Sequence, residues 1–129
     1  MWIGGHGHDI RSKCRTYQRD TLPAPGDLSE WGYDGSSTNQ ASGEDSEVFI
    51  RPRKVVKCPL RGGMNCIALC DTYLPTGEPA NTNFRAEAVK IFDLCAEEEP
   101  WFAFEQEYII MDTNPDIPIG FAAAGYAEP

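Results

Sequence analysis

SEVFIRPRKVVKCPLRGGMNCIALCDTY, residues 46–73, is the stretch whose reading decides the fold. Its first part, 46–57, alternates well enough for a strand, with Val48, Ile50, Val55 and Val56 as apolar members. Its last part, NCIALCDTY (65–73), is a short apolar run of the kind that makes a buried strand. Arg61-Gly62-Gly63 between them suits a turn. It does not suit a phosphate loop, because no lysine and no helix follow it.

Outward from this pair, residues 75–82 carry Pro, Gly and Asn and read as a turn region. Residues 83–95 then read as a helix. Phe84, Ala88, Ile91 and Cys95 are spaced four, three and four apart, which places them on one face. Asn81 or Thr82 is the expected cap. Glu97, Glu98 and Glu99 form an acidic run that ends at Pro100, and residues 101–111 alternate as a further strand. On the N-terminal side, residues 18–45 are rich in Gly, Pro, Ser, Asp and Asn. They read as a long loop, and loops of that length are often functional. Residues 1–17 carry strand-like stretches broken at Gly4-Gly5. Strands, one helix, then more strands give an α+β class, with a boundary near residues 75–82.

The 129 residues carry 20 acids against 11 Lys plus Arg, for a net charge of −9. That balance argues against nucleic acid or an anionic membrane surface as a main partner. No apolar run approaches the length of a membrane span, and the start, MWIGGHGHDIRSK, lacks the apolar core of a signal peptide. The five cysteines are odd in number and form no C-x-x-C pair. They read as buried reduced thiols in a reducing compartment. His6-Gly7-His8 lacks an evident third metal ligand.

Two motifs carry chemistry. In WFAFEQEYIIMD (101–112), Glu105 and Glu107 project from one face of the expected strand, about 7 Å apart. Paired carboxylates suit divalent cations with hard oxygen preference, Mg²⁺ or Mn²⁺. The same pattern also fits the polar face of an exposed edge strand. In WGYDGSST (31–38), Asp34-Gly35 followed by hydroxyl residues makes a turn that presents a carboxylate beside aromatics. An ordinary surface turn has the same composition.

Together these motifs resemble a known family. WGYDGSST, then Glu44-Asp45-Ser46-Glu47-Val48, CPLRGGMNCIALCDTY (58–73), TNFRAEAVKIF (82–92) and EEPWFAFEQEY (98–108) follow the order seen in glutamine synthetases. WIGGHGHDIRSKCRT at the start looks like the opening strand pair of the eukaryotic type. Two departures are Gly5, where the family usually has Asp, and Ala103, where it usually has Gly.

The resemblance implies a β-grasp-like mixed sheet over 1–80, then a helix and the first strands of an incomplete catalytic domain over 81–129. It implies ATP-dependent formation of glutamine from glutamate and ammonium through a γ-glutamyl phosphate. Asp34 matches the aspartate that binds ammonium and helps deprotonate it. Glu105 matches the glutamate for the metal on the ATP side, and Glu107 a ligand of the metal on the glutamate side. Trp101 matches a position near the nucleotide. The implied assembly is a cytoplasmic homo-oligomer of stacked rings, a decamer, with active sites between subunits. The chain reads as an N-terminal fragment inactive alone. The alternative is a short non-catalytic binding or regulatory protein that associates with a full-length synthetase.

Overall fold

A computed structural model describes residues 1–113 and 117–121. The chain divides into two compact units, Met1–Ala96 and Glu97–Pro129.

The first unit is built on a three-stranded antiparallel sheet. β3 is Trp31–Asp34, β4 is Glu47–Lys57 and β5 is Cys66–Tyr73, ordered β3-β4-β5. Ahead of it, β1 (Trp2–Ile3) and β2 (Ile10–Arg11) form a two-stranded antiparallel pair. The Met1 amino group donates to the Ala68 carbonyl at 2.8 Å, and the Cys70 N–H donates to the Met1 carbonyl at 2.9 Å. One residue bonding to both neighbours of Leu69 is the pattern of parallel pairing, so the chain start docks on the β5 edge in a parallel sense. The α+β class and the mixed character of the strands follow the sequence reading.

β4 is long because its two halves do different work. Glu47 to Ile50 pair with β3 on one side, while the ladder to β5 runs the full length. The register shifts between Pro52 and Lys54, which leaves Arg53 as the extra residue of a bulge. Pro52, which has no N–H, lies beyond the reach of β3, so no bond on that side is lost. Arg53 reaches back to donate to Asp71 at 2.8 Å and to the Tyr73 hydroxyl at 2.8 Å. Asp71 is buried and also meets Arg85 at 3.2 Å.

The core lies on the face that carries Val48 and Ile50, with Thr72 opposite Ile50 in the ladder. Trp2 packs onto Tyr33 with ring centroids 4.6 Å apart. Cys58, Tyr73 and Ala80 complete the buried apolar set.

Four expectations change. β3 and two short 3₁₀ turns, Pro25–Asp27 and Gly35–Thr38, lie inside the segment read as one long loop. β3 is only four residues long and contains Gly32, so its own periodicity is too brief to register. The helix α1, Phe84–Leu94, is capped by Asn83, whose side chain accepts from the Ala86 N–H at 3.3 Å. Asn81 and Thr82 do not fill that role. The apolar face of α1 is uncovered: no residue of the helix is buried. All five cysteines are free, but only Cys58 is buried.

The second unit departs furthest from expectation. Residues 101–110 form no strand. Met111 makes an antiparallel bridge with Pro118, supported by hydrogen bonds between Asp112 and Ile117 and between Ile119 and Ile110. Alternation is necessary for a half-buried strand but not sufficient. A strand needs a ladder, and the described residues show none over 101–109. Residues 114–129, rich in Pro, Ala and Gly, fall mostly outside the described residues. No helix among the described residues is long and apolar enough to cross a membrane.

Candidate functional site

Asp34 ends β3 and caps the 3₁₀ turn Gly35–Thr38. One of its carboxylate oxygens accepts from the Ser36 hydroxyl at 2.6 Å and from the Ser36 N–H at 3.0 Å. The Ser37 hydroxyl donates to the Asp34 carbonyl at 2.8 Å. This is why the sequence needs Asp followed by Gly and hydroxyl residues. The carboxylate closes its own turn, and the serines return the bond. Asn39 then reverses the chain in the left-handed region at φ 58°, a conformation that asparagine tolerates.

The two bonds from Ser36, the hydroxyl first, hold Asp34 below the ordinary carboxylate range. The group is therefore ionised at neutral pH, exposed, and fixed in direction. Across the ladder it faces Glu47, and an open depression is lined by Gly32, Tyr33, Asp34, Ser46 and Glu47. A side chain at position 32 would collide with the Glu47 carboxylate, 2.8 Å from the nearest added atom.

The turn is anchored from below. Gly35 donates to the Ser46 carbonyl at 2.5 Å, and a methyl added at Gly35 would lie 2.4 Å from a Val48 methyl. Gly5 donates to the Thr38 carbonyl at 2.8 Å. A β-carbon at Gly5 would stand 2.1 Å from the Asn39 carbonyl oxygen, so only glycine allows this approach. Gln40 is buried. Its oxygen accepts from the Tyr33 hydroxyl at 2.5 Å and from the Thr38 hydroxyl at 2.9 Å. Its nitrogen donates to the Ile3 carbonyl at 3.1 Å and to the Thr82 hydroxyl at 3.2 Å. Burial pushes the Tyr33 phenol up to about 12, so it remains a donor at neutral pH. Sequence reasoning did not find Gln40, since a single amide in a polar segment carries no pattern, and it noted Gly5 only as a break in the strand-like start.

Glu105, Glu107 and Trp101 lie in the second unit, in backbone without strand or helix, and all three are exposed. Trp101 is 93% exposed. Gln106 between the two glutamates donates to the Glu107 carbonyl at 3.3 Å. Among the described residues no group of three or more His, Cys, Asp or Glu side chains comes close enough to hold a metal ion. The two carboxylates fit a hard divalent ion in donor chemistry and supply only part of its shell. A separate, largely apolar cavity of about 270 Å³ borders Trp2, Ile10, Leu69 and Phe84 and contains none of these residues.

No family model matches the chain. Individual proteins do match. Over 131 aligned positions that take in the whole chain, it is 48% identical to a chloroplastic glutamine synthetase of Brassica napus. It is 49% identical to the cytosolic isozyme 1-3 of Arabidopsis thaliana over the same length. The proteins to which it is homologous are glutamine synthetases of the eukaryotic type. It aligns with the N-terminal part of those proteins, and the family is one of ligases. Against the nodule isozyme of Lupinus angustifolius the identity is 48%. The chain spans 30% of the Brassica glutamine synthetase, 37% of the Arabidopsis isozyme and 41% of the lupin protein. Cytosolic and chloroplastic glutamine synthetases both occur among these relatives.

Proposed function

We propose that this chain serves as the N-terminal region of an ATP-dependent glutamate–ammonia ligase, with residues 1–80 as a β-grasp domain and 81–129 as the start of a catalytic domain. The supporting observation is the Asp34 turn: an ionised, outward carboxylate held by Ser36 and paired with Glu47 across the ladder. Whole-chain identity near 48% to glutamine synthetases supplies the reaction class.

In the reaction, a γ-carboxylate oxygen of glutamate attacks the γ-phosphorus of ATP. An acyl phosphate forms and ADP leaves. Asp34 attracts ammonium by charge and takes one of its protons. The resulting ammonia attacks the acyl carbon, and phosphate departs with the bonding pair and takes up the second proton that the nitrogen sheds as the amide forms. A base already ionised and fixed in direction fits this work, because it needs no reorganisation when the proton moves. Glu105 and Glu107 would hold divalent ions, Mg²⁺ or Mn²⁺, which offset the charge of the phosphates. Trp101 would lie beside the nucleotide. Asp34 and the glutamates sit in different units, which suits active sites shared between subunits of a cytoplasmic ring assembly.

The test uses the complete gene product with ¹⁵N-ammonium, glutamate, ATP and Mg²⁺. Equal yields of labelled glutamine and phosphate, strongly reduced by Asp34→Asn, support the reading. A folded protein that makes no glutamine but co-purifies with a full-length synthetase would replace it with the regulatory alternative.

A further inference from the structure

We propose that Gln40 is a positioning residue for Asp34, its buried carboxamide clamping both ends of the Asp34 turn to β1 and to the segment just before α1. This rests on the reading of Asp34 as the ammonium-binding carboxylate.

The clamp follows from where the four hydrogen bonds go. Tyr33 immediately precedes Asp34, and Thr38 ends the turn that Asp34 starts. Both hydroxyls donate to the one Gln40 oxygen, at 2.5 and 2.9 Å. The nitrogen of the same amide donates to Ile3 in β1 and to Thr82, close to the helix cap Asn83. Every hydrogen-bonding position of the carboxamide is thus used. Three distant parts of the first unit meet at one group that is only 7% exposed.

An apolar side chain of similar volume would fill the space. It would also strand the Tyr33 and Thr82 hydroxyls and the Ile3 carbonyl, while the Thr38 hydroxyl keeps the Gly35 carbonyl at 3.1 Å, and the turn would lose its fixed distance from β1. Displacement of a reacting group by about 1 Å can cost on the order of 100-fold in rate. The direction of Asp34 is the property at stake. Ser36 sets the local shape of the turn, and Gln40 sets where that shape stands on the sheet.

Amide hydrogen exchange by NMR on the 129-residue chain tests this directly. In Gln40→Leu, exchange at Ser36, whose N–H binds the Asp34 carboxylate, should rise tenfold or more. The ladder amides of β4 should change less than twofold. Gln40→Glu keeps both acceptor contacts and should fall between Leu and wild type. Thr82→Val, which removes a single bond, should produce the smallest change. Equal acceleration at Ser36 and in β4 would make Gln40 a general support of the fold and overturn the proposal. No change at Ser36 would also overturn it. If Gln40→Leu does not fold, Gln40→Glu and Thr82→Val carry the same comparison.

In the ligase assay on the complete gene product, Gln40→Glu should raise KM for ammonium several-fold, with a smaller change in KM for ATP. An equal rise in both constants counts against positioning. If Asp34→Asn leaves ammonium dependence intact, the ligase role of Asp34 fails. The exchange result then still decides whether Gln40 holds the turn.

Discussion

Asp34 and the pair Glu105 and Glu107 are all exposed carboxylates, and the chain organises them differently. Asp34 is fixed by its own neighbours. Ser36 bonds its side chain, Gly35 lets the turn sit against Val48, and Gly5 and Gln40 tie the turn to β1. Glu105 and Glu107 have no such frame among the described residues. Their backbone forms no ladder, and the aromatics around them, Trp101, Phe104 and Tyr108, are exposed. A carboxylate that short-range sequence can organise is ready within this chain. The segment that carries Glu105 and Glu107 forms neither strand nor helix, so local sequence does not fix those two carboxylates.

The sharpest way to break this comparison is Asp34→Asn. Loss of the base should cut glutamine formation by the complete gene product by about 10² to 10⁴-fold. A residual rate within a few-fold of wild type would mean that the ordered turn is not the working one. Next is Gly5→Ala, which forces a methyl into the Asn39 carbonyl. It should cost about 1–3 kcal/mol in urea unfolding and should accelerate amide exchange in the turn. An unaffected midpoint would show that the turn is free to move off β1.

The metal side of the comparison is tested by calorimetry with Mn²⁺ on this chain. Two carboxylates without further ligands should bind no more tightly than about 10⁻³ M, and Glu105→Gln with Glu107→Gln should remove the saturable signal. Micromolar affinity, lost in that double variant, would mean the segment is organised after all.

The smallest effect is alkaline. Tyr33 has its phenol raised from 10.0 to about 12, chiefly by burial. The folded state therefore holds a proton that the unfolded state releases first. Stability from this group is intact below pH 10 and declines as pH rises from about 10 to about 12. Tyr33→Phe should flatten that decline in pH-dependent unfolding, and an unchanged slope would place the titration elsewhere.

The sequence made some of this legible for physical reasons. β4 and α1 announce themselves through period two and period 3.6, because each is long enough to show its period, and β5 announces itself as an apolar run, although only its last three residues, Asp71 to Tyr73, are buried. The Asp34 turn is legible because Asp, Gly and serine make it locally. The segment 101–111 misleads, since alternation describes how side chains would divide across a sheet and not whether a sheet is there. Gln40 escapes notice because its importance lies in Ile3 and Thr82, residues far away in sequence. The apolar spacing of α1 marks a stripe, but a stripe does not state what covers it, and no residue of the helix is buried.

The contact between the Trp2 and Tyr33 rings, tilted 41° to one another, has a spectroscopic consequence. The three tryptophans sample three surroundings: Trp2 is buried against Tyr33, Trp31 lies beneath the Lys13 ammonium at 3.6 Å, and Trp101 stands in solvent. Their emission should therefore separate by colour and by access to a soluble quencher such as iodide. The bluest, least quenched component belongs to Trp2. Because its neighbour Tyr33 shares a hydrogen bond with Gln40, that component is a built-in optical gauge of the Asp34 turn, readable without any label.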